Sequence, residues 1–285
     1  MTTKYNNVFI EDAYTVCGNY ENDGPLSKYF DKKHKKDLYF GEKSWEKAEV
    51  HLLKEANENI LKKNKLKEQD IDLLISGDLQ NQIAASDYMA RDFDIPFLGI
   101  FEACSTSSEG LIIGSNFIEG KICKRILVST SSHNMVSEKQ FRNPTEYGTP
   151  KPKTATFTAT GAVSILLTNK KNKVKIESST IGKVVDMGTT DVNHMGAVMA
   201  PAAGDVIYNH LTDTKRDTSY YDLILTGDLG VYGKEILRDY MLTKYNIELG
   251  DNYNDCGTML YKASACLCWR IWTSMFRLSK FWLYI

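Results

Sequence analysis

A thiol and three hydroxyls lie together in segment 101–107, Phe-Glu-Ala-Cys-Ser-Thr-Ser, where a predicted buried strand gives way to a predicted helix. Cys104 is therefore expected at or just before the helix N-terminus, where unpaired backbone N–H groups and the helix dipole stabilise negative charge. A thiol in such a place has a lowered pKa and can act as a nucleophile. The position also suits a small buried apolar side chain, so both interpretations stay open.

The same helix start could bind an anion without any covalent step. Helix N-termini bind carboxylates and phosphates through their backbone N–H groups. The hydroxyls of Ser105, Thr106 and Ser107 are additional donors. The segment is thus a candidate anion pocket as well as a candidate nucleophile site.

His133 is the histidine best placed to serve as a base for Cys104. It follows the predicted strand 125–130 and precedes Asn134. Residues just past the carboxyl ends of parallel strands gather where ligands tend to bind, although a hydrated loop histidine is the plainer alternative. The other histidines are expected in a solvated lysine-rich run (His34), on helices (His51, His210) and in a polar loop (His194).

Motifs for metals and nucleotides are missing from the sequence. It contains no CxxC or HExxH pattern, and Cys266-Leu267-Cys268 alone is a weak metal signal. It contains no GxGxxG or Walker-type loop. We therefore expect neither a bound metal nor a cofactor.

Predicted helices and strands alternate in the first part of the chain. Strands are predicted over 72–76, 97–101, 125–130 and 162–168, and helices over 45–60, 82–93 and 105–119. This alternation predicts a mostly parallel sheet covered by helices on both faces. The polar stretch from Lys139 to Thr158 is predicted to be a loop that covers a site or an interface.

An internal repeat indicates two similar α/β halves. The octapeptide at 72–79, Asp-Leu-Leu-Ile-Ser-Gly-Asp-Leu, recurs at 222–229 with five of eight positions identical, and Cys104 and Cys256 follow at nearly the same offset. Chance similarity between two buried strands is the alternative. The interpretation gives an N-terminal half at 1–170, a partial C-terminal half at 171–261 and an atypical tail at 262–285. In the second half a strand-like run is predicted over 175–185 and a helix over 203–211.

Composition excludes several classes of protein. The formal net charge is -1, from 35 Lys+Arg and 36 Asp+Glu, which argues against a general nucleic-acid binder. There is no apolar run of the length that a signal peptide or a membrane-spanning helix requires. Six cysteines without a secretory signal are expected to be reduced thiols of an intracellular protein.

The last residues differ in composition from the rest. Three of the four tryptophans lie in the tail and no acidic residue follows Asp255. One interpretation is an amphipathic helix that touches a membrane. We favour a shifted frame or a truncated chain, because only 29 residues follow Cys256, too few for the helix and strands that follow Cys104.

A series of motifs resembles a known family. The stretch from Ile95 through Cys104 to Gly120 is similar to the nucleophile segment of thiolases and ketoacyl synthases. Within that superfamily the chain most resembles the stage V sporulation protein AD family, over about residues 8 to 261. The motifs that carry this resemblance are DGPL (23–26), SGDLQNQ (76–82), ACSTS (103–107), TSSHN (130–134), QFRNPTEYG (140–148), MAPAA (199–203) and NDCG (254–257).

The resemblance implies a fold and a role. The implied fold is thiolase-like, with two pseudo-symmetric βαβ-type halves, layered α/β/α packing and, here, an incomplete second half. Members of the family bind dipicolinic acid and help move it, with calcium, into the forespore across the inner forespore membrane, together with other proteins of the same operon. Cys104 corresponds to the superfamily nucleophile, while its His or Asn partners come from the C-terminal half and are not found after Tyr261.

We therefore expect a non-catalytic binder of dipicolinic acid, peripheral to the membrane through its partners and homodimeric, as the resemblance implies. The expected ligand-binding residues are Cys104, Ser105, Thr106, His133 and Asn134, and Phe101 could line an apolar slot for the ring. A Cys-dependent acyltransferase, or 3-oxoacyl synthase-like enzyme, is the alternative, with Cys104 as its nucleophile. A non-functional remnant is a third possibility.

Overall fold

A computed structural model describes residues 1–141, 157–191, 194–261 and 282–283. The strands are β1 Thr2–Lys4, β2 Phe9–Cys17, β3 Lys32–Lys33, β4 Leu73–Gly77, β5 Phe97–Gly99, β6 Arg125–Ser132, β7 Gly161–Thr168, β8 Val174–Lys175, β9 Ser178–Thr180, β10 Ile224–Thr226, β11 Tyr253–Asp255 and β12 Trp282–Leu283. The helices are α1 Asn19–Asn22, α2 Trp45–Lys63, α3 Ala84–Ala90, α4 Thr106–Glu119, α5 Asn134–Phe141, α6 Met195–Thr214, α7 Gly230–Tyr245 and α8 Cys256–Leu260.

The central sheet is mostly parallel, as predicted, and β7 and β8 are its two antiparallel strands. Its strand order is β3-β2-β7-β6-β4-β5, and β8 also pairs with β2. Strands β6, β4 and β5 are parallel to one another, whereas β7 runs antiparallel to both β6 and β2. The end of β6 at Ser132 pairs with the start of β7 at Gly161, so the connection returns the chain to the same end of the sheet. The antiparallel direction of β7 was not predicted, because this strand is buried along its whole length and such a run does not encode strand direction.

Helices cover both faces of this sheet, as predicted. Leu74, Leu127 and Leu166 pack on one face in a cluster with α2 and α3, and their sequence neighbours point to the other face, where α4 packs. This alternation follows from the two-residue period of a strand. The lack of a side chain at Gly110 lets helix α4 approach the sheet closely, since a Cβ there would lie only 2.6 Å from Val128.

Several predicted boundaries shift. The helix predicted over 82–93 is α3, which is shorter because Gln82 and Ile83 have positive φ angles of 59° and 50° just before it. The start of the predicted loop at 139–158 belongs to α5, and its remainder lies largely outside the described residues. The strand-like run at 175–185 contains only β8 and β9, whereas the helix predicted over 203–211 begins earlier, as α6.

The second copy of the repeat also folds as a strand, a turn and a helix. Strand β10 pairs in parallel with β11 and with β12, and α6 and α7 pack together around Leu237 and Met241. Apart from β12, the atypical tail lies outside the described residues. No helix in the described part of the chain combines the length and apolar character that crossing a membrane requires.

Candidate functional site

Cys104 lies in a tight turn between the edge strand β5 and helix α4. A single 3₁₀ turn, Ala103–Ser105, precedes Thr106, where α4 begins. Ala103 has a φ of +43°, a conformation that residues with a Cβ rarely adopt and that is common at functional turns. The half-buried thiol is therefore placed just before the helix N-terminus, as the sequence predicted.

Thr106 holds this turn together. Its Oγ1 donates to the carbonyl of Ala103 at 2.8 Å and accepts from the backbone N–H of Glu102 at 3.1 Å. The side chain is fully buried, and its methyl group packs against Gly77 at the end of β4, where an added Cβ would lie 2.5 Å from it and 2.2 Å from the carbonyl oxygen of Ile100. Thr106 therefore uses its hydroxyl to shape the turn.

The other residues of the turn face outward. Ser105 Oγ donates to the carbonyl of Glu102 at 3.0 Å, and its side chain is half-buried. Phe101, the predicted apolar wall, is 52% exposed. Glu102 is also exposed, and its charge together with burial raises the pKa of Glu109 on α4, burial being the larger cause. Two carboxylates thus lie near a helix start that would otherwise favour anions.

His133 and Asn134 lie directly after β6, and both are buried. The burial of His133 differs from the hydrated loop histidine that the sequence left as an alternative. The Nε2–H of His133 donates to the carbonyl of Leu38 at 2.7 Å, while Nδ1 accepts from the backbone N–H of Met135 at 3.2 Å. Burial lowers the pKa of His133, so the ring is neutral with both nitrogens engaged. Asn134 Nδ2 donates to the carbonyl of Thr158 at 3.0 Å.

Cys104 and His133 lie at the same end of the sheet, where the parallel strands β5 and β6 have their carboxyl ends. Cys104 follows β5 and His133 follows β6, and the parallel strand β4 separates β5 from β6. Because both ring nitrogens of His133 are bonded to backbone groups, the histidine in this arrangement is not a base for the thiol. Its contacts instead fix the chain around Leu38 against this end of the sheet.

Two buried carboxyl groups that sequence reasoning did not select lie at the same end of the sheet. Asp78 follows β4 and accepts from the backbone N–H groups of Gln80 at 2.8 Å and Ser86 at 2.7 Å. Glu49 on α2 accepts from Gln80 Nε2 and from Ser131 Oγ, each at 3.0 Å. Burial, and then the charge of Asp78, raises the pKa of Glu49 to about 8.

Only one of these two carboxyl groups lies in a motif of the sequence. The repeated octapeptide includes Asp78, but the repeat indicates two similar halves and not a buried acid. Glu49 had no signal, because glutamate on a helix is normally solvated.

Beside the second copy of the repeat, the ends of the strands are joined to the helices by a different residue, Asp255. Asp255 accepts from Thr226 Oγ1 at 2.8 Å and from the backbone N–H groups of Leu229, Gly230 and Gly257 at 3.1, 3.0 and 2.9 Å. Burial raises the pKa of Asp255 to about 6 despite these bonds. Cys256 follows as the first residue of α8 and is buried.

Comparison with known proteins gives one family and one fold. The family model for stage V sporulation protein AD matches residues 2–267. The stage V sporulation protein AD of Bacillus subtilis (strain 168) is 44% identical over 269 residues, which cover 92% of this chain and 79% of that protein.

Solved structures of low sequence identity share the fold. Cerulenin-bound OleA of Xanthomonas campestris superposes with a TM-score of 0.64 at 10% identity, covering 91% of this chain and 85% of that one. The 3-oxoacyl-[acyl-carrier-protein] synthase III of Aquifex aeolicus VF5 gives a TM-score of 0.56 at 13% identity, covering 91% and 87%. At such identities the likeness shows the fold, which is thiolase-like.

Proposed function

The chain belongs to the stage V sporulation protein AD family, and from that membership we propose that it binds dipicolinic acid and supports its uptake, with calcium, into the forespore. The single observation that supports a binding site is the turn at Cys104, which opens a buried helix at the edge of the sheet. Backbone N–H groups at such a helix start suit a carboxylate. A compact aromatic dicarboxylate would place one carboxylate there, where the attraction of the N–H groups has to outweigh the repulsion from Glu102 and Glu109.

The predicted binding residues divide into two roles in this proposal. Cys104 and Ser105 are half-buried in the turn and are positioned to contact the ligand, with the exposed ring of Phe101 beside them. Thr106, His133 and Asn134 are buried and already bonded to backbone groups. We assign these three to holding in shape the proposed ligand recess, by which we mean the surface formed by Phe101, Cys104 and Ser105.

Calorimetric titration with dipicolinate tests this proposal. Thr106→Ala removes the hydroxyl that joins Ala103 to Glu102 and is expected to weaken binding by about tenfold, the equivalent of roughly one lost hydrogen bond. Thr106→Ser keeps the hydroxyl and serves as the matched control, and His133→Ala is expected to weaken binding by loosening the chain near Leu38. Circular dichroism establishes that each variant is folded. Equal affinity of wild type, Thr106→Ala and His133→Ala for dipicolinate would show that the recess is not the binding site.

A binding role is favoured over catalysis by the geometry of His133. The alternative, a Cys-dependent acyltransferase, is supported by the half-buried thiol in a strained turn and by the fold that the chain shares with synthases. That chemistry needs a base, and both ring nitrogens of His133 are engaged. Intact mass after incubation with an acyl-CoA separates the two roles: an adduct that disappears in Cys104→Ala would establish the transferase.

We further propose a homodimer formed through β5, with the membrane approached through other proteins of the same operon. Among the described strands β5 pairs only with β4, and Phe97 and Leu98 are each 36% exposed on it. An unpaired edge with apolar side chains suits pairing with a second copy. Leu98→Asp is expected to convert a dimer to a monomer in light scattering, whereas a monomeric wild-type protein would refute this.

A further inference from the structure

Away from the sheet edge, two histidines and a glutamate converge beside helix α2. His51 and Glu55 lie one helical turn apart on α2, and His34 reaches them from the segment after β3. One ligand atom from each residue lies within 4.8 Å of the other two. The lysine-rich surroundings predicted a solvated His34, but its side chain is only 21% exposed and its Nε2 lies 2.6 Å from Glu55 Oε2.

We propose that His34, His51 and Glu55 bind a divalent transition metal, with Zn²⁺ as the best match. Two imidazoles and one carboxylate, with water in the fourth position, form a ligand set that zinc favours in tetrahedral sites. Ligands about 2.1 Å from a tetrahedral zinc lie about 3.4 Å from one another. The ligand atoms now lie within 4.8 Å of one another, so the widest separation must shrink by up to about 1.4 Å. His34 Nε2 and Glu55 Oε2, now 2.6 Å apart, must instead move apart by about 0.8 Å. Side-chain rotation on a half-buried surface can supply both changes.

The neighbouring carboxylate of Glu42 supports this assignment. Glu42 Oε1 lies 3.2 Å from Nδ1 of His51. A carboxylate on one ring nitrogen orients a ligating histidine and fixes its tautomer, leaving the other nitrogen for the metal. Glu42 is therefore the expected outer partner of His51 rather than a fourth ligand.

The neighbouring cation, Lys32, is compatible with a bound metal. Lys32 Nζ lies 3.7 Å from Oε1 of Glu55, whereas His34 contacts the other oxygen, Oε2. The lysine can thus keep Oε1 while Oε2 turns to the metal. The metal takes the place of the proton in the hydrogen bond between His34 and Glu55, and a proton carried by that pair is released to solvent on binding.

A metal bound here would restrict the motion of the segment that contains Leu38 and Phe40, which contacts His133. The ring of Phe40 lies 4.8 Å from the ring of His34 and 5.9 Å from that of His133, and the carbonyl of Leu38 in the same segment accepts from His133. The site would fix this segment to α2 and so act as a clamp beside the candidate recess. The inference does not depend on which ligand the recess binds.

Titration of the full chain, stripped with a chelator, with ZnCl₂ in a calorimeter tests the proposal. One zinc per chain is expected, with a rise in melting temperature. His34→Ala, His51→Ala and Glu55→Gln are expected to lose this binding, and Glu42→Gln to weaken it by about tenfold or more, as loss of an outer-shell partner does. CaCl₂ is expected not to bind, because calcium prefers an all-oxygen shell.

His194→Asn is the matched control, since it removes a half-buried histidine outside the cluster while an asparagine can still cap α6. It is expected to bind zinc as wild type does. Circular dichroism identifies any variant that fails to fold, and for such a variant His51→Gln replaces His51→Ala. The proposal is overturned if wild type binds no zinc, if the folded ligand variants bind it with wild-type affinity, or if calcium binds equally well.

Discussion

Cys104 and Cys256 follow the two copies of the repeat at nearly the same distance, yet their surroundings are opposite. Cys104 is half-buried in a 3₁₀ turn ahead of a 14-residue helix, whereas Cys256 is buried at the start of a five-residue helix. Burial, and then the charges of Asp255 and Asp228, raises the pKa of Cys256 well above its ordinary value. The same strand-turn-helix pattern therefore yields one partly exposed thiol and one that lies in the core.

The buried carboxyl groups differ in a corresponding way. In the first copy Asp78 shares its surroundings with a second carboxyl, Glu49, and the two raise each other's cost of ionisation. Beside the second copy, Asp255 joins β10, α7 and α8 through four hydrogen bonds, and a second buried carboxyl group, Asp228, lies close enough to raise the pKa of Cys256. Asp255 is thus the carboxyl group with the most hydrogen bonds among the described residues of the second half, whereas Asp78 and Glu49 share theirs with Gln80, Ser86 and Ser131.

Removing Asp255 should have the largest effect on stability. Asp255→Ala leaves four buried donors without their acceptor and is expected to lower the free energy of unfolding by about 3 kcal/mol or more. Asp255→Asn keeps one acceptor oxygen and should lose less. Urea unfolding of the three proteins measures the difference, and a loss below about 1 kcal/mol in Asp255→Ala would show that this residue does not hold β10, α7 and α8 together.

The carboxyl pair of the first copy should make stability depend on pH. The pKa of Glu49 is raised from 4.5 to about 8 in the fold, so the folded state holds a proton that the unfolded state releases. The stabilisation that this proton contributes is therefore full below about pH 4.5 and is lost as pH rises toward 8, by up to about 1.4 kcal/mol per pH unit.

Glu49→Gln should flatten this decline, which urea unfolding between pH 6 and 8 measures. Glu58→Gln is the matched control, because Glu58 lies on the same helix, is 56% exposed and faces solvent, where its carboxylate lies 3.9 Å from Nζ of Lys54. The prediction fails if wild type and Glu49→Gln lose stability equally over this range.

Gly77→Ala tests whether the first copy needs its close approach at the end of β4. The added Cβ would lie 2.2 Å from the carbonyl oxygen of Ile100 and 2.5 Å from the methyl of Thr106, so we expect a loss of about 2 kcal/mol. Gly250→Ala in the second half meets only an ordinary contact at 3.5 Å and should change stability by less than about 0.5 kcal/mol. Similar melting temperatures for both variants would contradict this account of the turn.

The sequence predicted the parts of this site that depend on local pattern. The apolar run of β5, the small residues of α4 and the intervening Cys104 are enough to place a thiol before a helix. Long-range placement was not predictable: the antiparallel direction of β7 leaves no trace in a fully buried strand. Glu49 and His34 were missed for the same reason, because the partners that bury them are distant in the sequence or belong to other elements.

Cysteine alkylation gives a direct measure of the difference between the two copies. Native protein treated with iodoacetamide and digested should show Cys104 modified at least about tenfold faster than Cys256, because the reactive species is an accessible thiolate. Peptide-level mass spectrometry separates these two from the other cysteines. Denatured protein is the control, in which the two rates should converge because burial no longer distinguishes the thiols. If Cys256 reacts as fast as Cys104 in the folded chain, Cys256 is accessible to the reagent as well, and the contrast between an accessible thiol and a core thiol does not hold.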